Sequence, residues 1–191
     1  MKTSLGAKTL ASPTPTWIVG AYDPTGKATG ATIAWGGICS SKPPSIAISL
    51  RSATYTHGCV KATKAFSVNI PAQNQAALAD YFGIASGRDV DKFAAAGLTA
   101  EKCELVNAPS IKEFPLVIEC ELIHVIELGL HTQFVGEIKD VKAAPGILDA
   151  EGKIDIEKMG TVIYAPGTRQ YYGLGPSLGA GFSIGNAYVK K

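Results

Sequence analysis

The chain has 191 residues, 46% of them hydrophobic and 18% charged, with a formal net charge of +2. That length buries a full hydrophobic core without disulfides or metals, and the composition excludes a disordered chain. Charges of both signs are mixed and no basic stripe occurs, so no nucleic-acid partner is expected.

The first twenty residues carry Lys2 and Lys8 but no apolar run of signal-peptide length. No apolar stretch approaches the ~18 residues of a membrane span. The expectation is one cytoplasmic domain over residues 1–191, with no membrane partner. Residues 16–22 read as a strand, stopped by a turn at Asp23-Pro24-Thr25-Gly26. Residues 28–35 resume it with small residues and the β-branched Thr29, Thr32 and Ile33. Pro43-Pro44 breaks the chain, and residues 45–50 alternate as the next strand. A short helix follows over residues 56–64, with Thr54 or Thr56 as its N-cap. Residues 66–70 form a strand closed by Pro71, after which Ala76, Leu78, Ala79 and Phe82 repeat at helical spacing. Asp89 is a cap for another short helix through Phe93, ending near Gly97.

The second half is mostly β. Residues 116–128 put Ile118, Cys120 and Leu122 on one face, and Glu119 and Glu121 on an opposite, solvated one. Gly129 turns the chain, and residues 131–142 return with Thr132, Phe134, Gly136 and Ile138 opposite His131, Gln133, Val135 and Glu137. The fold class is mainly β with short helical inserts, and closure into a barrel would remove vulnerable sheet edges. The uncharged, Gly-rich residues 173–184 have no obvious place in a barrel wall and read as an interface segment. Lys190-Lys191 reads as a solvated tail.

No dinucleotide fingerprint, phosphate loop or nucleophile elbow occurs. The four cysteines, Cys39, Cys59, Cys103 and Cys120, form no metal-ligand spacing with the three histidines. Neither a catalytic side-chain set nor a metal is therefore expected. The cysteines read as reduced interior thiols, with Cys39 closest to a ligand because it follows the Gly-rich stretch. Asn69 and His124 read as structural, Asn69 through a side-chain-to-backbone bond.

Two segments carry candidate binding chemistry. Arg51-Ser52-Ala53-Thr54-Tyr55-Thr56 follows a strand and enters a helix, so a guanidinium, hydroxyls and helix N-terminal amides converge. That equipment suits a phosphate monoester; an ordinary N-cap beside a surface arginine is the other reading. Trp35-Gly36-Gly37 lets backbone approach a flat ligand beside an aromatic ring, or else is a bend beside a core Trp.

Several stretches together resemble the flavin reductase-like family. They are Pro13-Thr14-Pro15, Thr32-Ile33-Ala34-Trp35-Gly36, Pro43-Pro44, Arg51 through Thr56, Phe66-Ser67-Val68-Asn69-Ile70-Pro71, Ser86 through Phe93, and Gly129 through Glu137. They stand in family order and cover most of the chain. The resemblance implies an FMN-binding split β-barrel of Greek-key type and a homodimer with flavin near the subunit interface. It assigns flavin contact to Thr32, Ile33, Ala34, Trp35 and Leu50, and phosphate contact to Arg51, Thr54, Tyr55 and Thr56. Tyr164 and the stretch Tyr171 to Gly175 cover the flavin, close the dimer or pack in the core. His131 contacts a flavin or nicotinamide ring, or lies in a dimer contact. Family reductases carry Gly-Asp-His or Gly-Ser-His at this hairpin; Gly129-Leu130-His131 keeps the His and replaces the polar residue. The resemblance thus implies electron transfer through FMN to a redox protein or small acceptor. The rival readings are an NAD(P)H:flavin oxidoreductase and a non-enzymatic FMN-binding or storage module.

Overall fold

Strands buried on both faces, such as residues 65–70, build much of the wall in the computed structural model, which describes residues 1–189. The expectation for Lys190-Lys191 lies outside the described residues. In chain order the strands begin with β1 (Thr14–Pro15), β2 (Trp17–Tyr22), β3 (Ala28–Ile33), β4 (Gly36–Ser41) and β5 (Pro44–Arg51). Helix α1 (Tyr55–Thr63) leads to β6 (Ala65–Ile70), α2 (Ala76–Ile84) and α3 (Lys92–Ala96). Then come β7 (Ala100–Lys102), β8 (Pro109–Ile111), the long pair β9 (Leu116–Leu128) and β10 (His131–Ala143), α4 (Ile156–Met159), β11 (Val162–Ala165) and β12 (Gln170–Gly173).

Seven strands pair antiparallel in the order β3-β2-β6-β9-β10-β5-β4. The neighbours β2–β6 and β10–β5, distant in sequence, are the Greek-key crossovers. The pairing does not close, which corrects the expectation of a closed barrel: β3 and β4 are free edges. Beside β3 lie helices instead of β4. Lys92 of α3 donates to the Gly30 carbonyl, and the Thr32 hydroxyl donates to the Ala79 carbonyl of α2. Smaller sheets, β1-β11-β12 and β7-β8, complete the structure.

The core fills the inside of the split barrel. Phe66, Val68, Ile46, Ile48, Cys120 and Phe134 are fully buried and belong to one cluster. A second cluster, with Ile18, Ala79, Phe82 and Phe93, packs α2 and α3 on the outside of β2. All four cysteines are free; Cys59, Cys103 and Cys120 are buried, whereas Cys39 is exposed on β4. Asn69 makes the structural bonds expected of it, donating to the Ile18 carbonyl and accepting from the Ile111 amide. No helix among the described residues is long and apolar enough to cross a membrane.

Four local expectations change. Residues 28–35 do not form one strand, because β3 stops at Ile33 and the chain turns into the unforeseen edge strand β4. Its Gly-Gly-Ile-Cys-Ser-Ser sequence has little intrinsic strand preference; β4 exists because β5 offers it an edge. The cap of α3 is Asp91, not Asp89: its carboxylate accepts the Ala94 amide and pairs with Lys27 at 3.1 Å. Glu119 is not solvated but 1% exposed, and its two oxygens accept the amides of Glu104 and Leu105 at 3.2 and 2.8 Å. A folded-over loop thus turns the outer face of β9 into interior, while Glu121 stays exposed and pairs with Lys139. His124, read as structural, is exposed on the far half of β9.

Gly136 marks a tight contact inside the barrel core. A Cβ there would lie 2.6 Å from Phe66 Cζ and 2.9 Å from Cys120 Cβ. Gly136→Ala should therefore destabilise the protein by about 1–3 kcal/mol, the range for overpacked cores. Thermal unfolding checks this; a variant that melts with the wild type would show that Phe66 yields freely.

Candidate functional site

The open side of β3 faces a groove with two ends. At the first end the chain leaves β5 at Arg51, makes a tight turn and enters α1. The Thr54 hydroxyl does not cap α1; it donates to the Arg51 carbonyl at 2.8 Å. The first amides of α1 are thereby left without intrahelical or side-chain partners, as is usual for an uncapped N-terminus. Opposite them lies the loop Ser86-Gly87-Arg88. The Arg88 guanidinium donates to the Ala53 carbonyl at 2.9 Å and sits 5.5 Å over the Tyr55 ring. Tyr55 is held in turn by its hydroxyl, which donates to Asp23 at 3.1 Å. Gly87 makes the close approach possible, since a Cβ would collide with Thr29 Oγ1 and stand 2.9 Å from the Tyr55 ring.

Lys92 completes this end. It is 4% exposed, and its ammonium donates to the carbonyls of Gly30 and Phe82, both at 2.8 Å. Burial pulls its amine down from 10.5 to about 8. Thr32, Thr54, Tyr55, Thr56, Ser86, Arg88 and Lys92 line the pocket, whose lining holds two cations and no carboxylate.

The second end shares Thr32 and Gly83 with the first. It is walled by Ile33, Ala34, Ile84 and Pro15, with Tyr164 and Tyr171 across it. The two tyrosine rings lie 5.2 Å apart, and Tyr171 donates to Asp80 at 2.8 Å. Burial and that carboxylate hold the Tyr171 phenol above its ordinary range.

The structure thus brings Thr32, Ile33, Ala34, Thr54, Tyr55, Thr56 and Tyr164 to one continuous groove. The other expected site residues stand elsewhere. Trp35 is half-buried just past β3, its carbonyl accepting the Ser49 amide at 2.8 Å. Leu50 is 2% exposed and belongs to the core. Arg51 is exposed and, with His131 opposite it in the β5–β10 register, lies outside the lining of both ends. Arg88 and Lys92, absent from the expected set, line the first end; their spacing alone reads as an ordinary loop and helix. His57 lies outside the lining of both ends and links elements of the fold. Its Nε2 is 2.8 Å from the Thr132 hydroxyl, which donates to Glu127 and links α1 to the β9–β10 hairpin. Burial and the nearby Lys61 lower its pKa.

A split barrel whose open edge forms such a groove defines the class, and the chain belongs to the flavin reductase-like family. The family model, described as a flavin reductase like domain, matches residues 9–172. Among solved structures, flavoredoxin of Desulfovibrio vulgaris (Miyazaki F) is 50% identical with a TM-score of 0.93, covering 97% of this chain and all of that one. An uncharacterized protein of Archaeoglobus fulgidus is 32% identical over 61% of this chain and 65% of its own length. The high molecular weight rubredoxin of Moorella thermoacetica is 31% identical over 53% of this chain and 44% of its own. The chain therefore spans between under half and about two thirds of these curated relatives.

Proposed function

We propose that this chain binds FMN along the groove and passes electrons through it, as one unit over residues 1–191. The observation that carries the reading is the first pocket: two cations, free helix amides and hydroxyls, with no acidic residue to neutralise them. A phosphate dianion supplies the missing charge, and helix N-termini with Arg and Lys are suited to it. The apolar second end, with its aromatic walls, suits a flat ring system. In this reading Arg88 and Lys92 hold the phosphate with Thr54 and Thr56, and Arg51 stays at the rim. Ile33, Ala34 and Tyr164 border the ring. Bound FMN supplies the redox chemistry; the protein supplies binding, orientation and exclusion of water. The likeness to flavoredoxin and to a rubredoxin supports electron transfer to a redox partner.

A homodimer belongs to the same proposal. Strand β9 outruns its partner β6, whose pairing ends at Glu121, and beyond it Val125, Ile126, Leu128 and Leu130 are exposed. The uncharged C-terminal stretch also leaves Leu178, Phe182 and Tyr188 in solvent. Apolar surface of this extent marks an interaction face.

The deciding experiment is titration of the purified protein with FMN, followed by rapid-mixing reduction with NADH and NADPH. Saturable FMN binding with slow reduction by both nucleotides supports an electron carrier fed by another protein. Rapid, saturable reduction assigns the chain to the NAD(P)H:flavin oxidoreductases instead. Absence of FMN binding would refute both.

A further inference from the structure

Arg88 is exposed, yet two contacts hold its guanidinium at the first end. It donates to the Ala53 carbonyl at 2.9 Å and stands 5.5 Å over the Tyr55 ring. A long, exposed arginine otherwise loses much rotamer freedom when a ligand orders it. The contact with the ring depends on which way the ring face is turned. Asp23, 32 positions away in sequence, turns it: its Oδ2 accepts the Tyr55 hydroxyl at 3.1 Å. Asp23 is fixed in turn, because its Oδ1 accepts the Thr25 amide, the Thr25 hydroxyl and the Lys27 amide at 2.8, 2.7 and 3.0 Å. Asp23 itself lies outside the lining of the first end.

We infer that Asp23 is a positioning residue for the phosphate: it sets the Tyr55 ring, and the ring sets the Arg88 guanidinium before FMN arrives. This rests on the FMN reading above and adds what organises its phosphate end in advance. Ordering a group before binding raises affinity without adding a contact to the ligand. The Tyr55 hydroxyl is engaged by Asp23, so Tyr55 acts through its ring face. The same turn reaches the other cation only weakly. Lys27 pairs with Asp91, the cap next to Lys92, but the two side chains are 53% and 39% exposed, and exposed pairs contribute little. Lys92 is held instead by its own buried bonds to Gly30 and Phe82. The brace therefore acts on Arg88.

The test measures the ratio of FMN to riboflavin affinity by fluorescence titration in Tyr55→Phe, Asp23→Ala and their double variant, each with Arg88 intact and with Arg88→Ala. With Arg88 intact, all three are expected to lower the ratio by the same factor, about threefold to tenfold, the span of one ordinary hydrogen bond. In the Arg88→Ala background none of them lowers it further, the signature of residues acting through one another. Asp23→Ala also removes bonds of the turn, so where it melts early Tyr55→Phe, which leaves the turn intact, decides. A Tyr55→Phe ratio equal to that of wild type overturns the brace and leaves the FMN reading standing. A loss that persists in the Arg88→Ala background overturns it too, and gives the Tyr55 hydroxyl a direct contact with the phosphate. Arg88→Ala that leaves the ratio unchanged removes the cation from the phosphate and the brace with it. Wild type that binds neither flavin refutes the FMN reading itself.

Discussion

Replacing Lys92 with Met is expected to weaken FMN binding by about tenfold to a hundredfold while riboflavin binding barely changes. The ammonium is almost fully buried, and its partners are the neutral carbonyls of Gly30 and Phe82. Arg88, the other cation lining the pocket, carries the same sign. A buried cation without a counter-ion is costly, and a phosphate beside it relieves that cost. Met fills the same channel with an unbranched apolar chain, so the free protein should stay folded. Riboflavin has the ring but no phosphate, which separates the charge from the packing. Equal weakening of both flavins would assign Lys92 to the ring or to the fold; no weakening of either would move the phosphate elsewhere.

The same residue predicts opposite pH trends for stability and binding. Burial lowers the folded amine from 10.5 to about 8. Between those values the unfolded chain holds a proton that the folded chain has released, so the free protein gains stability as pH rises through this window. Over the same window the pocket loses a positive charge, and FMN affinity falls. Lys92→Met should abolish both trends. Raised salt should weaken FMN more than riboflavin, since the exposed part of the charge pairing is screened.

Asn69→Ala is expected to lower stability by about 3–5 kcal/mol, combining lost hydrogen bonds with the cavity left behind. That corresponds to roughly 10 °C in Tm for a chain of this size. Asn69 is fully buried and ties three strands together. Its amide donates to the Ile18 carbonyl of β2 at 3.1 Å and to Ser67 of β6 at 2.8 Å, and its oxygen accepts the Ile111 amide of β8 at 2.8 Å. Truncation strands a backbone N–H and a carbonyl where water does not reach. Urea and thermal unfolding give the measurement. A loss below about 1 kcal/mol would mean that water or Ser67 takes over these bonds.

The sequence by itself determined the β character and the position of most elements. Period-2 patterning located β9 to the residue and β10 within one, although burial follows the alternation only along the first half of β10. Gly97 after α3 was legible from its local role at a helix end, whereas the start of α1 was narrowed only to Thr54 or Thr56. The segment Thr54 to Thr56 was legible for the same reason, since a hydroxyl-rich strand-to-helix turn is a local feature. What tertiary structure decided was everything that depends on partners far away in sequence. Glu119 follows the pattern of an exposed residue, yet the loop at Glu104 and Leu105 buries it. Strand β4 lacks intrinsic preference and is induced by β5. Which cations line the groove was invisible as well. Arg51 adjoins the turn in sequence but lies outside the groove lining, whereas Arg88 and Lys92 reach it from α2–α3 because the barrel is split at β3 and helices cover that edge. Local signals fix where a chain bends; only packing decides which charges meet.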